Sequence, residues 1–378
     1  MALRLARRNA KTGALAVSLR LTVNKASEGL LLVDYVAREL PRLHKKRSQI
    51  AALIMDKEVL VAPDGVHLEP NTRVWEGLSF EMLKSYSGDG TVEPDPLRVL
   101  HSDDAVLVVD KPAGMVTHPS RSYYVSTVYY ALARHHRLPN GFAPTAAHRL
   151  DSETSGVLVC GLSTESGCGL ASAFASGQVA KEYLALCEGN RPTSATSTRM
   201  TTTPTMKTLV VGDTFDIELP LRLEATSDLV PKMRALSAGS SAAEAKTAKS
   251  ALTQCKVERI FQDKQGRPLT LVRCMPKTGR QHQIRAHLAA IGMPLVGDKL
   301  YGFDETILTR QQVGPMIPGQ FNSALSSEEQ SRLRMWRHAL HAAKVSFFHP
   351  TSNVAIQVEA SLPSDITSLI QGLRPFHI

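Results

Sequence analysis

In residues 148–160 a carboxylate stands just ahead of a wholly apolar run. The stretch reads His148-Arg149-Leu150-Asp151-Ser152-Glu153-Thr154-Ser155-Gly156, then Val157-Leu158-Val159-Cys160. The apolar run reads as a buried strand. Gly156 adopts backbone angles that other residues resist, so Thr154-Ser155-Gly156 reads as a tight turn into that strand. An aspartate at such a junction is held rigidly at a surface, as a nucleophile must be. A structural aspartate would equally cap the turn. Residue chemistry alone leaves both roles open for Asp151.

Composition narrows the class. The chain has 378 residues, enough for one large domain or two to three modest ones. It is 43% hydrophobic and 21% charged, the balance of a globular protein with a real core. Its formal net charge is +9, which favours a polyanionic partner, nucleic acid ahead of membrane. A basic tail on a neutral enzyme would give the same sum. The five cysteines form no CxxC pair, so no zinc motif is present, and a reducing compartment fits. No apolar run approaches the roughly 18–20 residues that cross a bilayer.

Residues 1–27 stand apart. They hold Arg4, Arg7, Arg8, Lys11, Arg20 and Lys25, with no acid before Glu28. That is the composition of a mitochondrial transit peptide. The alternative is a basic arm on RNA in a cytoplasmic or nuclear protein. Residues 30–84 read as a small separate unit. Leu31, Leu32, Tyr35, Val36 and Leu40 recur at helical spacing. Lys45-Lys46-Arg47-Ser48 opens a second helix carrying Ile50, Leu53 and Ile54. Val59-Leu60-Val61 and Val66-His67-Leu68, around Pro63-Asp64-Gly65, predict a hairpin. Val74 and Leu78-Ser79-Phe80 suggest a further strand. Residues 85–96 read as a linker. Residues 190–206 read as a surface insertion, residues 235–250 as a flexible stretch, and residues 303–332 as a long loop with a helix near Glu328–Trp336.

The stretch HRLDxxTSG resembles the signature of the RluA-like pseudouridine synthases, which isomerise uridine within RNA. Further blocks follow in the order of that family. They are Val108-Val109-Asp110-Lys111-Pro112-Ala113-Gly114-Met115 with His118-Pro119, Lys181-Glu182-Tyr183-Leu184-Ala185-Leu186, and Thr278-Gly279-Arg280-Gln281-His282-Gln283-Ile284-Arg285. The last continues through His287 to Gly297-Asp298-Lys299-Leu300-Tyr301-Gly302. Leu340-His341-Ala342 and Phe348-His349-Pro350 are similar to the family's final strand region. Ordered blocks are far more specific than one short motif. The resemblance covers residues 97–365.

The resemblance implies an α+β catalytic domain over residues 97–378, with a mixed, largely antiparallel sheet and a central cleft. It implies Asp151 as nucleophile and Arg285, or else Arg280, as its basic partner. Arg149 would fill the stack as the base leaves, and Tyr183 would pack on the base. Tyr183's hydroxyl would serve as a weak acid or base. His148, His282 and His287 invite a metal reading, but the family uses neither metal nor cofactor. His282 and His287 are then expected to orient backbone or bind phosphate. Lys111 and Pro112 would shape a loop. Residues 30–84 resemble the α/β RNA-binding module of small-subunit ribosomal protein four, with Lys45, Lys46 and Arg47 as its RNA contacts. The expected partner is RNA, ribosomal or transfer, with no membrane and a monomeric enzyme. The rival reading is a non-catalytic RNA-binding or ribosome-assembly factor on the same fold. One departure stands out: Cys160-Gly161-Leu162-Ser163 replaces a longer aliphatic strand and its following lysine.

Overall fold

The computed structural model describes residues 6–8, 15–39, 46–55, 60–61, 68–85, 94–120, 123–138, 142–192, 198–200, 208–224, 232–236, 240–302 and 325–376. The chain divides into two compact units. One is Met1–Pro96 with His118–His136; the other is Leu97–Thr117 with Arg137–Ile378.

The first unit holds β1 (Ala6–Arg8), β2 (Leu15–Thr22), α1 (Leu32–Glu39), α2 (Arg47–Met55), β3 (Leu60–Val61), β4 (Ser79–Ser85) and α3 (Val128–His135). Its sheet runs β1-β2-β4-β3, every pair antiparallel. Of the residues at helical spacing, Leu32, Tyr35 and Val36 of α1 are buried, with Ile50 and Ile54 of α2, and Val33 joins them. Leu78 and Phe80 complete that core. The Tyr35 hydroxyl donates to the Thr22 carbonyl at 3.0 Å, tying α1 to β2. The expected hairpin falls partly on residues 62–67, outside the described residues. The described partner of Leu60 and Val61 is β4, at Met82 and Glu81. The sheet also takes in residues 15–22, ahead of the unit expected to begin at residue 30.

The second unit is built on one large sheet. Its strands are β5 (Arg98–Ser102), β6 (Val106–Lys111), β7 (Thr145–Ala146), β8 (Ser155–Gly161), β9 (Ala180–Glu188), β10 (Thr198–Met200), β11 (Thr214–Glu218), β14 (Leu252–Gln262), β15 (Pro268–Pro276), β16 (Leu340–Phe348), β17 (Ala355–Glu359) and β18 (Arg374–Pro375). The main path runs β10-β11-β14-β15-β9-β16-β8-β6-β5. Among the described residues β8 with β16 is the one parallel pairing, so the sheet is mixed and largely antiparallel. β12 (Leu221–Glu224) and β13 (Lys232–Ala235) form a separate hairpin pair. Helices α4 (Thr164–Ala175), α5 (Ala242–Thr247), α6 (Gln283–Ala290), α7 (Ser327–Leu333) and α8 (Ser364–Gln371) complete the unit.

β8 is buried along its whole length, as the apolar run demands. The turn lies one step earlier than expected. Thr154 N–H donates to the Asp151 carbonyl at 3.1 Å, and Ser155-Gly156 already belong to the strand. Gly156 is required there for two reasons. Its φ is +111°, and a Cβ would stand 2.2 Å from the Ala342 carbonyl oxygen of β16. Gly156→Ala is therefore expected to cost about 3 kcal/mol, since the clash is with backbone. Melting of the purified variant checks this, with an expected fall of about 6–12 °C. Gly266→Ala, at φ +76° with open space around it, should fall by far less.

The Cys160-Gly161-Leu162-Ser163 departure has a packing reason. A Cβ on Gly161 would meet Gly167 N at 2.4 Å, so the glycine lets α4 start directly against β8. Ser163 then caps α4 through Ser166. The stretch expected to be flexible at 235–250 instead contains α5. Ser241 and Glu244 form a capping box, which outweighs the low apolar content of that helix. The insertion at 190–206 contains β10, while 193–197 and 201–207 lie outside the described residues. The helix expected near 328–336 is α7; residues 303–324 lie outside.

Candidate active site

A pocket of about 380 Å³ opens beside the start of β8. Its wall is the 147–151 segment with Thr154, the end of α4, Lys181 and Tyr183 of β9, the 276–285 segment and Leu340. Asp151, Arg149, Tyr183, Arg280 and Arg285 all line it. Lys46 and Arg47 belong to the other unit; Arg47 is forked onto Asp34 at 2.8 and 3.1 Å. Lys45 lies outside the described residues.

Asp151 leaves the last turn before β8, so the rigidity of a buried strand is passed to its carboxylate. Its side chain is 20% exposed. Arg285 Nη1 donates to Asp151 Oδ2 at 3.1 Å. Arg285 is itself fixed: Nε and Nη2 fork onto the two Asp298 oxygens at 2.8 and 2.9 Å. Asp298 also accepts from Leu300 and Tyr301 N–H, both at 3.0 Å. The guanidinium carbon sits 5.0 Å from the Tyr301 ring centre. Two carboxylates and an aromatic face therefore hold one arginine in a single orientation.

The loop before α6 is locked by Gln283. Its side-chain oxygen accepts from Thr278 Oγ1 and Arg280 N, and its amide donates to Leu252 O and Thr253 Oγ1. His282 then enters α6 in the left-handed region, at φ +51°. Strained backbone of this kind collects at functional sites. Its Nε2 lies 3.8 Å from Asp151 Oδ1 and its Nδ1 lies 3.1 Å from the Tyr301 hydroxyl.

Burial opposes ionisation of Asp151, yet its carboxyl lies below the ordinary aspartate range, because His282, Arg285 and His338 face it and Arg285 bonds it directly. His282 is pushed down to about 4 by burial and by Arg285. It is therefore neutral near pH 7, and Arg285 supplies the attraction. Burial, with the charge of Asp151, pushes the Tyr183 hydroxyl well above the ordinary tyrosine range. That favours the protonated hydroxyl over its expected use as a weak base. Tyr183 offers a ring face and a donor.

Burial separates the other residues singled out from the sequence. Arg149 is exposed at the pocket rim. Arg280 Nε donates to Ser250 O at 3.1 Å, and it is Arg285 that bonds the Asp151 carboxylate. His148 stacks on Phe174 at 4.1 Å, and its Nε2 accepts from Val159 N. His287 is fully buried between Thr253 Oγ1 and the Leu219 carbonyl, which removes it from phosphate binding. Lys111 is fully buried and donates to the carbonyls of Pro112, Met115 and Ser152. Burial, aided by Arg337, pulls its ammonium down to about 7, while Asp151, Asp110 and Glu153 oppose that.

Sequence reasoning missed Asp298, the anchor of Arg285, although its glycine-flanked block was recognised. It also missed Lys181, whose half-buried ammonium lines the pocket. Asp151 is the one acidic side chain among the described lining residues. The arrangement is an ionised carboxylate in a basic-walled pocket. It can attack an electron-poor carbon of a substrate that carries negative charge.

Residues 105–290 match the family model described as RNA pseudouridylate synthase. Ribosomal large subunit pseudouridine synthase D of Xanthomonas campestris is 30% identical over 332 residues, covering 87% of this chain and 85% of that protein. The protein of the same name from Nitrosomonas europaea is 29% identical over 361 residues, covering 94% and 88%. Among solved structures, Human RNA Pseudouridylate Synthase Domain Containing 1 aligns with a TM-score of 0.51 at 23% identity, over 75% of this chain and 92% of that one. That likeness is one of fold. Asp151, Tyr183, Arg280 and Arg285 fall inside the family match, whereas Asp298 lies beyond it.

Proposed function

This chain belongs to the RNA pseudouridylate synthase family and isomerises uridine to pseudouridine within RNA, and from that premise we propose that Asp151 carries the reaction on RNA of the large ribosomal subunit. One observation carries the catalytic assignment: a buried, doubly anchored Arg285 bonds Asp151, the one acidic side chain among the described lining residues, and favours its ionised form. The reaction breaks N1–C1′, turns the uracil, and joins C5 to C1′. It needs no external reactant. The target base must leave its stack to reach such a pocket.

Asp151 is the nucleophile that holds the sugar while uracil turns. Tyr183 offers its ring to the base, and Arg149 enters the vacated stack. The C5 proton of the product must go to a base. Tyr183 remains protonated, so the released Asp151 carboxylate takes that proton. Arg149, Arg280 and Lys181 line the pocket where the backbone phosphates on either side of the flipped base would pass.

The ribosomal substrate is supported by the names of the Xanthomonas and Nitrosomonas relatives. Pseudouridine mapping of total RNA, with and without this protein, tests it. At least one large-subunit uridine should lose its modification and regain it with wild type but not with Asp151→Asn. Losses confined to transfer RNA would overturn the ribosomal assignment and leave the chemistry intact.

Residues 30–84 serve as an RNA-binding module resembling that of small-subunit ribosomal protein four. Support comes from their two helices and the exposed Lys46. Removing the unit should weaken binding and flatten its salt dependence, because fewer counterions are released. The basic, acid-free N-terminus is proposed as a mitochondrial address.

A further inference from the structure

Behind the pocket, each residue from Ser152 to Ser155 is held by a buried basic side chain. Lys111 Nζ holds the Ser152 carbonyl at 3.0 Å. Arg337 Nη1 holds the Glu153 carbonyl at 3.0 Å. His338 Nε2 meets Thr154 Oγ1 at 2.8 Å, and His341 Nδ1 meets Ser155 Oγ at 2.9 Å. The Glu153 carboxylate is held by Lys299, Nζ to Oε1 at 2.7 Å, with the two side chains 10% and 5% exposed. Lys299 also donates to the Trp336 carbonyl at 2.6 Å. Neither Glu153 nor Lys299 lines the pocket.

Placement gives this pair its meaning. Glu153 lies two residues after Asp151, and Lys299 lies one residue after Asp298. Two ionic ties thus run between the same two segments. One is Asp151–Arg285–Asp298, which faces the substrate. The other is Glu153–Lys299, which does not. We propose that the Glu153–Lys299 pair is a positioning clamp that fixes the turn bearing Asp151 against the loop bearing the anchor of Arg285. This rests on the reading of Asp151 as the reacting carboxylate.

A buried ion pair is a poor way to add stability, since an apolar pair of similar volume does as well. It is a good way to fix register, because its geometry is exacting and a slipped arrangement leaves two charges unpaired. Catalytic groups must hold within about 0.5 Å of productive geometry. Asp151 must do so while uracil turns beside it, and Arg285 alone is a single hydrogen bond to a side chain. The clamp removes the freedom of its backbone.

The charged and titratable groups facing Asp151 are Arg285, His282, His338, Lys111, Tyr183 and Tyr301, and those facing Glu153 are Lys299, His338 and Lys111. The two histidines are held below their ordinary range by burial, so they are neutral at pH 7. Removing Lys299 leaves an unpaired carboxylate near Asp151. Removing Glu153 leaves an unpaired ammonium. The two losses must then move the ionisation of Asp151 in opposite directions.

The test compares Glu153→Gln, Lys299→Met and the double variant with wild type, using steady-state conversion of a uridine-containing RNA from pH 3 to 9. Each single variant should lose at least tenfold in turnover with KM within threefold. The acid limb should rise by about one pH unit in Lys299→Met and should not rise in Glu153→Gln. The double variant, free of unpaired charge, should melt near wild type and still turn over slowly. If the single variants do not fold, the double variant decides alone. Wild-type turnover in any folded member of the set overturns the clamp, as does the same limb shift in both single variants. Asp151→Asn separates the two claims. Should it retain activity, the reading of Asp151 fails first; should it be inactive while the clamp variants are unaffected, only the clamp fails.

Discussion

An Asp151→Asn enzyme is expected to bind RNA like wild type and to convert no measurable uridine. The amide keeps the shape of the carboxylate and can still meet Arg285, so the fold has little reason to change. What it lacks is negative charge and nucleophilicity. Loss of a nucleophile that works with its neighbours as a unit costs on the order of 10⁴-fold, or roughly 5 kcal/mol of barrier. Asp151→Ala should match it. Release of tritium from RNA labelled at uridine C5 reads the loss, and a filter-binding curve on the same protein reads the retained affinity. A variant that kept more than about a tenth of wild-type turnover, about 1.4 kcal/mol of barrier, would remove Asp151 from the chemistry.

Arg285→Lys is expected to be nearly as damaging, although the charge is kept. An ammonium cannot reproduce the fork onto Asp298 and reach Asp151 as well. The Asp298 side chain is completely buried, so a poorly paired carboxylate there should cost about 3 kcal/mol and lower the melting temperature by roughly 6–12 °C. Turnover should fall by about 10²-fold or more, with KM far less affected. The same network sets the acid stability of the protein. Glu153 is held at about 2 against an ordinary 4.5; burial opposes this, but Lys299 and His338 prevail. Asp298 is also held low, with Arg285 outweighing its burial. Their contribution is therefore complete above pH 4.5 and is lost as the pH falls toward 2. Unfolding on acidification in Arg285→Lys should begin at a higher pH than in wild type.

The strand β8 and the aspartate before it were legible because a continuous apolar run and a glycine leave little choice of conformation. α1 and α2 were legible from helical spacing. What sequence could not show was which side chains from distant segments meet. Arg285 and Asp298 are 13 residues apart and Asp151 is 134 residues from Arg285, so the triad exists only once β8, α6 and the 297–302 loop are assembled. Burial sorted the histidines in the same way. His282 and His287 share one block, yet one lines the pocket and the other is sealed in the core. The turn was misplaced by a step because Gly156 was read as a turn residue. It is a strand residue that lets β16 approach. α5 was missed because its capping box outweighs a composition that reads as loop.

This fold favours an ionised Asp151 in its pocket, a property open to direct measurement. It is tested most directly by carboxyl titration, comparing the ¹³C signals of wild type and Asp151→Asn and following the one that is missing from the variant. The expected midpoint lies below the ordinary aspartate value of 3.8, with no further titration up to pH 9. A midpoint at about pH 5 or above would mean that burial outweighs Arg285, that the group is an acid and not a nucleophile, and that the account of the site is wrong.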